Sequence, residues 1–445
     1  MRFLIILLIC AACGSETPTP HPPDPPPIDP AQTTMGTQAF DTGRSLQTRG
    51  HFAEAEQAFR QALKESPSNP QYHYYLGVVL HAQSQFKEAQ THFKKALEIK
   101  PDYAGPQIAL GKMFYDVYGK VEEACAYLNS AITLAPQATE ARSILGKIYQ
   151  REGRLEEAST IFTAILADDS TYTPALNGLG VVHLQQGEYQ QAEARLRQAT
   201  RLDPHEPNAF LGLGQVYLRL GETDKGQRLI ARSQALSDQN NQLQPHKDAV
   251  RKYPDQPKAH SNLASLYHRF GRLKLAAEHY HHSIRIDSTY GPGYQGLGNM
   301  YQQRGNDALS ARYYLEALRW DSTLAESHNN LGLLFYKKGD LQRAIEAYKK
   351  AVQHAPEVGY YLSNLGSAYF ENKQLEQAQL IAEQASAIDS TLPSTRILLG
   401  GLHASRGELR QALDRWEAIP ATDPSYDHLQ QRIAEIRRKL DRQEQ

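Results

Sequence analysis

Apolar and polar positions in residues 325–358, AESHNNLGLLFYKKGDLQRAIEAYKKAVQHAPEV, alternate with the spacing of two short amphipathic helices. Leu331 and Phe335 are four apart, and Leu341, Ala344, Ile345, Tyr348, Ala351 and Val352 continue in steps of three and four. Such spacings gather on one face of a helix. Gly339-Asp340 interrupts the pattern between the two helices. Pro356 ends the second, because its ring restrains the preceding residue and removes a backbone donor. A helix pair this small cannot bury its apolar face alone and needs copies of itself on either side.

The copies are present. The position of Gly332 recurs as Gly43, Gly77, Gly111, Gly146, Gly180, Gly214, Gly298, Gly366 and Gly400, with Ala264 once in its place. The step is 34 residues except for 35 between Gly111 and Gly146 and 50 between Gly214 and Ala264. A turn glycine recurs as Gly50, Gly153, Gly187, Gly221, Gly271, Gly305, Gly339 and Gly407. A small residue recurs in the second helix as Ala55, Ala89, Ala158, Ala192, Ala276, Ala344, Ala378 and Ala412. An aromatic follows it four later as Phe59, Phe93, Phe162, Tyr280, Tyr348 and Trp416, and Pro67, Pro101, Pro136, Pro204, Pro356 and Pro424 close their copies. This period and punctuation resemble the tetratricopeptide repeat family over about residues 36–426, in eleven copies. The resemblance implies an all-α right-handed superhelix of helix-turn-helix units, with a concave groove lined by the first helix of each pair. Small residues at the crossings let two helices approach, and the large aromatic fills the space they leave.

A solenoid changes what 445 residues mean, since each repeat needs only its neighbours and no division into globular domains is required. The formal net charge of −1 leaves no electrostatic footprint for nucleic acid, so none is expected as a partner. Of the three cysteines, Cys10 and Cys13 lie in the first thirteen residues, and Cys125 sits alone on a second helix as an inert, packed thiol.

Outside the repeats, residues 1–12 read as a secretory leader: Arg2, an apolar run from Phe3 to Ile9, then Ala11-Ala12. The run is too short to span a bilayer as a helix. Cys-Ala-Ala-Cys-Gly-Ser resembles the lipobox of bacterial lipoproteins, which implies a lipid on Cys13; Cys10 departs from the aliphatic residue usual there. Residues 13–35 then hold the anchor and a linker with eight prolines, an extended spacer of about 3.1 Å per residue. Gly14 after the cysteine, by the same resemblance, implies the outer membrane. The expected organisation continues with repeats one to six at 36–240 and an insert with an extra helix near 243–253 within 241–256. Repeats seven to eleven follow at 257–426, then a capping helix at 427–445 striped by Leu429, Ile433, Ile436 and Leu440. In repeat six Gly226 replaces the expected alanine, which would weaken that helix. A hinge is expected at the insert, and the chain points to no particular oligomeric state.

Candidate chemistry is sparse. Gly291-Pro-Gly-Tyr-Gln-Gly296 spells a dinucleotide fingerprint but falls at the start of a helix with no strand before it. Of His279, His281 and His282 on one helix, His279 and His282 are one turn apart and could share a metal, but no third ligand stands at zinc-like spacing. No cofactor, metal or catalytic constellation emerges, and no enzyme is expected. The asparagines carry more. By the family's groove positions, Asn262, Asn330 and Asn364 lie two residues before their glycine or its alanine substitute, Asn299 one after, and Asn177 and Asn329 three before. Their amides can hold a peptide's own N–H and C=O groups. Asn299 and Asn330 match the two asparagines of the family's carboxylate clamp, while Gln295, Tyr360 and Asn364 stand where its basic residues would be. The expectation is a non-catalytic protein-interaction scaffold of the bacterial cell envelope, taking extended partner segments in its groove. The alternative is an assembly factor acting through its edges and C-terminal helix.

Overall fold

The computed structural model describes residues 34–443, all of whose regular structure is helical. The expectations for the leader, Cys13 and the proline spacer lie outside these residues. The chain divides into two units, one ending at Pro254 and the other beginning at Asp255. In the first unit the pairs are α1 and α2 (Thr34–Thr48, Phe52–Glu65), α3 and α4 (Pro70–Ala82, Phe86–Ile99), and α5 and α6 (Ala104–Asp116, Val121–Leu134). They continue with α7 and α8 (Thr139–Arg151, Leu155–Asp168), α9 and α10 (Thr173–Gln186, Tyr189–Leu202), and α11 and α12 (Pro207–Arg219, Thr223–Lys252). The second unit holds α13 and α14 (Pro257–Arg269, Leu273–Ile286), α15 and α16 (Gly291–Gln303, Asp307–Trp320), and α17 and α18 (Ala325–Lys337, Leu341–His354). It ends with α19 and α20 (Gly359–Glu371, Leu375–Ile388), α21 and α22 (Pro393–Ser405, Leu409–Glu417), and α23 (Tyr426–Gln443).

Every pair but α13 and α14, which has Ala264, carries a glycine at the crossing. A Cβ placed on Gly298 would stand 2.6 Å from the Tyr314 ring, one on Gly332 2.7 Å from Tyr348, and one on Gly43 2.6 Å from Phe59. Those rings are almost wholly buried. In the tenth repeat the filler comes from the next copy, Leu398 of α21 reaching Gly366. Gly226 is no defect: a Cβ there would meet the Gly214 carbonyl at 2.8 Å, so in this repeat two backbones approach where others carry an alanine, while Ile230 fills the space over Gly214. The fingerprint-like glycines are also packing devices, since a Cβ on Gly296 would collide with Tyr280 and one on Gly293 with Ser283.

Between repeats, four copies lack the closing proline and use another turn. Asp169, Asp287, Asp321 and Asp389 are each followed by Ser-Thr. Their Oδ1 atoms accept the threonine N–H at 2.8–2.9 Å and its hydroxyl at 2.6–2.7 Å. This Asx-type bond holds the turn without proline here, and in Asp203-Pro204 and Asp423-Pro424 it acts together with proline, the aspartate accepting from the N–H of the residue after the proline. The extra residue of repeat three lengthens the turn between α5 and α6, with Gly119 at φ 64°.

The insert departs from expectation. Residues 243–253 form no separate helix; α12 runs unbroken for 30 residues through the insert, and Leu236 and Leu243 on it are fully buried. Pro245 lies inside it and is exposed, so the carbonyl it leaves without an intrahelical donor is one turn back near solvent. At the other end, Leu429, Ile433 and Ile436 of α23 are buried against Ala412, Trp416 and Ile419. The apolar stripe is thus spent on closing the core.

Within each unit, first helices of successive repeats pack on one another, as α3 on α5, α7 on α9 and α19 on α21. They therefore form the inner face. Histidines lie between helices of single repeats: His73 Nδ1 is 2.9 Å from His92 Nδ1, and His260 Nδ1 is 3.0 Å from His279 Nδ1. The His282 ring also rests on His260, with centroids 4.2 Å apart. Burial, reinforced by His260 and His282, lowers His279 to about 4, and burial lowers His73, His92, His281 and His282 as well. These imidazoles are packed neutral.

Two measurements follow from this packing. The left-handed turn position held by glycine in nine repeats is occupied by Ser84 at φ 63° and Lys373 at φ 59° in the others. Side chains resist that region by roughly 1–2 kcal/mol. Ser84→Gly and Lys373→Gly are each expected to raise stability by about 0.5–1 kcal/mol in urea unfolding, the greater freedom of glycine in the unfolded chain offsetting part of the gain. The histidines set a pH dependence. Unfolded imidazoles take up protons near 6.5, whereas the folded His279 site refuses them until about 4. Stability is then full above about pH 6.5 and falls as pH drops through that window, by at most about 1.4 kcal/mol per pH unit per such imidazole. His279→Gln should flatten the fall in Tm between pH 7 and pH 5; an unchanged slope would remove His279 from this account.

Candidate functional site

On the inner face of the second unit, α15, α17 and α19 bring their polar side chains into one hydrogen-bonded chain. Asn364 Nδ2 donates to Asn329 Oδ1 at 2.8 Å, Asn329 Nδ2 to Asn330 Oδ1 at 3.2 Å, and Asn330 Nδ2 to Asn299 Oδ1 at 3.0 Å. Asn299 Nδ2 then donates to Glu326 Oε1 at 2.8 Å. Gln295, one helical turn before Asn299, donates from Nε2 to Glu326 Oε2 at 2.7 Å and accepts from the Ser327 hydroxyl at 2.9 Å. The Tyr314 hydroxyl, reaching in from α16, receives Asn330 Nδ2 at 3.1 Å and lies 2.6 Å from Asn299 Oδ1.

The direction of this chain has a cause. An ionised carboxylate only accepts, so Glu326 obliges Gln295 and Asn299 to turn their NH2 groups toward it. Asn299 then shows its carbonyl to Asn330, Asn330 its carbonyl to Asn329, and Asn329 its carbonyl to Asn364. Every amide dipole points the same way, and bonds arranged in series strengthen one another. Burial raises Tyr314 to about 12, with the charge of Glu326 adding to it, and so keeps the hydroxyl protonated as a donor.

The expected groove residues divide into three groups. Asn299, Asn329, Asn330 and Asn364 come together, Asn329 almost fully buried and the other three half-buried. Asn262 on α13 is exposed and takes no part in the chain. Asn177 on α9 belongs to the first unit, where its carbonyl oxygen is buried without a hydrogen-bond partner. Asn330→Ala and Asn364→Ala would consequently remove packed hydrogen bonds rather than alter free surface.

Glu326 and Gln295 were visible in the sequence but carried no weight there. Gln295 shares its register with Asn329 and Asn177, three before a glycine, and this regularity marks it as a groove amide in its own right. Glu326, six before Gly332, reads from sequence as one more helix-surface charge. Elsewhere, Cys125 is half-buried with its thiol pushed up by burial, which suits an unreactive side chain. Among the described residues no group of three or more His, Cys, Asp or Glu side chains could hold a metal ion, and no helix is long and apolar enough to cross a membrane.

Family models described as tetratricopeptide repeat match residues 40–104 and 247–290, 118–179 and 183–245, and 325–358. The Protein CTR9 homolog of Arabidopsis thaliana is 30% identical over 119 residues, which are 26% of this chain and 11% of that protein. The chain thus aligns with only a small part of that relative's length. Among solved structures, PilW, described as a widely conserved type IV pilus biogenesis factor, is 19% identical with a TM-score of 0.42, over 46% of this chain and 94% of that one. Yeast Tom70 is 12% identical with a TM-score of 0.37, over 91% of this chain and 96% of its own. The repeat period, the glycine-locked helix pairs and the matched models together make this chain a member of the tetratricopeptide repeat family, an all-α solenoid whose architecture is that of a protein-interaction scaffold.

Proposed function

We propose that this chain is a non-catalytic adaptor that takes an extended segment of a partner protein along the inner face of α15, α17 and α19. The observation that carries this reading is the amide chain from Asn364 to Glu326. Side-chain amides offer a donor and an acceptor each and so can pair with the main chain of any extended peptide, whatever its sequence. The basic residues of the family's carboxylate clamp are replaced by Gln295, Tyr360 and Asn364, so a free C-terminus is not what the groove is built to hold. An assembly role through the C-terminal helix has less support, because the apolar stripe of α23 is already buried.

Photocrosslinking tests this directly. A benzoylphenylalanine placed at Tyr360, exposed on the inner-face helix α19, is expected to trap a partner segment in the native host. The same group at Leu315, exposed on α16, is not. The crosslink at position 360 should fall at least tenfold in an Asn299→Ala, Asn330→Ala variant. Crosslinking from position 315 alone would put the partner on the outer helices and overturn the groove.

The cellular setting belongs to the same proposal: an envelope protein held by a lipid on Cys13, with the proline-rich segment setting the array off from the bilayer. Support comes from the apolar run Phe3–Ile9, Ala11-Ala12 before Cys13, and the eight prolines that follow. A Cys13→Ser variant should incorporate no radiolabelled fatty acid and leave the membrane fraction, whereas undiminished labelling would exclude Cys13 as the anchor.

A further inference from the structure

Glu326 ends the amide chain with its charge uncompensated. Both carboxylate oxygens are fixed, one by Asn299 and one by Gln295, yet it makes no ion pair with a Lys, Arg or His among the described residues. Glu316 and Asp340, close by in sequence, pair with Arg319 and Arg343, whereas Glu326 is held, as Asp321 is, by uncharged donors. In its own register, six residues before the crossing glycine or its substitute, successive repeats place Lys258, Pro292, Glu326, Tyr360 and Ser394. The one cation of that row stands two repeats away and is not paired with it. Tyr360, one repeat further along, is exposed. Burial raises the hydroxyl titrations of Tyr280, Tyr314 and Tyr361, and the charge on Glu326 adds to each.

A carboxylate accepts about four hydrogen bonds, and two of these positions are used by the amides. Glu326 is exposed, so the others are open to solvent. A cation presented there meets a pre-oriented acceptor, and a neighbouring aromatic face adds attraction for a guanidinium or ammonium. The amides that hold Glu326 cannot neutralise it.

We propose that Glu326 is the specificity anchor of the groove, receiving an ammonium or guanidinium group of the bound segment while the amide chain holds its backbone. This rests on the groove reading above and adds to it the charge of the partner: the segment is basic, the opposite of the acidic C-termini taken by clamp-bearing relatives. The cation could come from a lysine or arginine side chain or from a free α-amine.

Phage display separates these cases. Two libraries of random twelve-residue peptides are panned on the whole protein, one with a free N-terminus and one flanked on both sides by fixed spacers. Enriched peptides are then made synthetically for fluorescence polarisation. The expected result is a recurrent Lys or Arg in both libraries, with affinity reduced at least tenfold when that residue becomes norleucine or when the protein carries Glu326→Gln. Enrichment from the free-end library alone, with acetylation abolishing binding, would assign the cation to the α-amine. Glu326→Lys provides a second variant and should shift the enriched set toward acidic peptides; circular dichroism melting checks that both variants fold. If enriched peptides lack a basic residue, or bind Glu326→Gln as tightly as the parent, while still failing to bind the Asn299→Ala, Asn330→Ala variant, the anchor is wrong and the groove stands. If no peptide is enriched, both fall.

Discussion

The architecture depends on how closely two helix backbones approach at the crossing glycine. At Gly43, Gly77, Gly146, Gly298 and Gly332 the space of a missing side chain is filled by an aromatic ring from the second helix of the same repeat. A Cβ at 2.6–2.8 Å from that ring has nowhere to go without moving buried atoms. This contact fixes the angle and depth of each pair, and with them which residues of the first helix are left facing inward. The amide chain exists because three successive first helices, two packed on rings of their own repeats and the third on Leu398 of the next, present Gln295, Asn299, Glu326, Asn329, Asn330 and Asn364 to one another.

Much of this was legible in the chain because one constraint is repeated. A residue needed at every crossing leaves a period, and the period exposes the helices, their turns and their partners together. What escaped notice obeyed the same period in different letters. Asp-Ser-Thr at 169, 287, 321 and 389 stands where proline closes other copies, and only its hydrogen bonds make the equivalence plain. Gly226 looked like a lapse because its partner, the Gly214 backbone, carries no side chain to signal a fit. The insert looked like a break because 16 added residues offset the repeats; the helical backbone itself has no reason to stop there, and α12 carries on through Pro245.

The candidate site was half legible. Register alone brings Asn299, Asn330 and Asn364 to the inner face, but it cannot say whether their amides meet solvent or each other. That depends on distances between repeats, which place Asn329 almost out of solvent and link all four. Glu326 was the least visible member. Its role lies in being an acceptor without a donor's alternative, and so in turning every amide behind it the same way.

The consequence reaches the heat of binding. Each amide of this groove spends only part of its hydrogen-bonding capacity within the chain, so a guest backbone takes its remaining positions from water or replaces an internal bond. Such exchange has little net enthalpy to offer, since the bonds broken and formed are of one kind. Association through the amides alone would then be nearly athermal and tolerant of sequence. A calorimetric signal of any size would have to come from the one member of the chain with no internal cation to trade among the described residues, the carboxylate at its end.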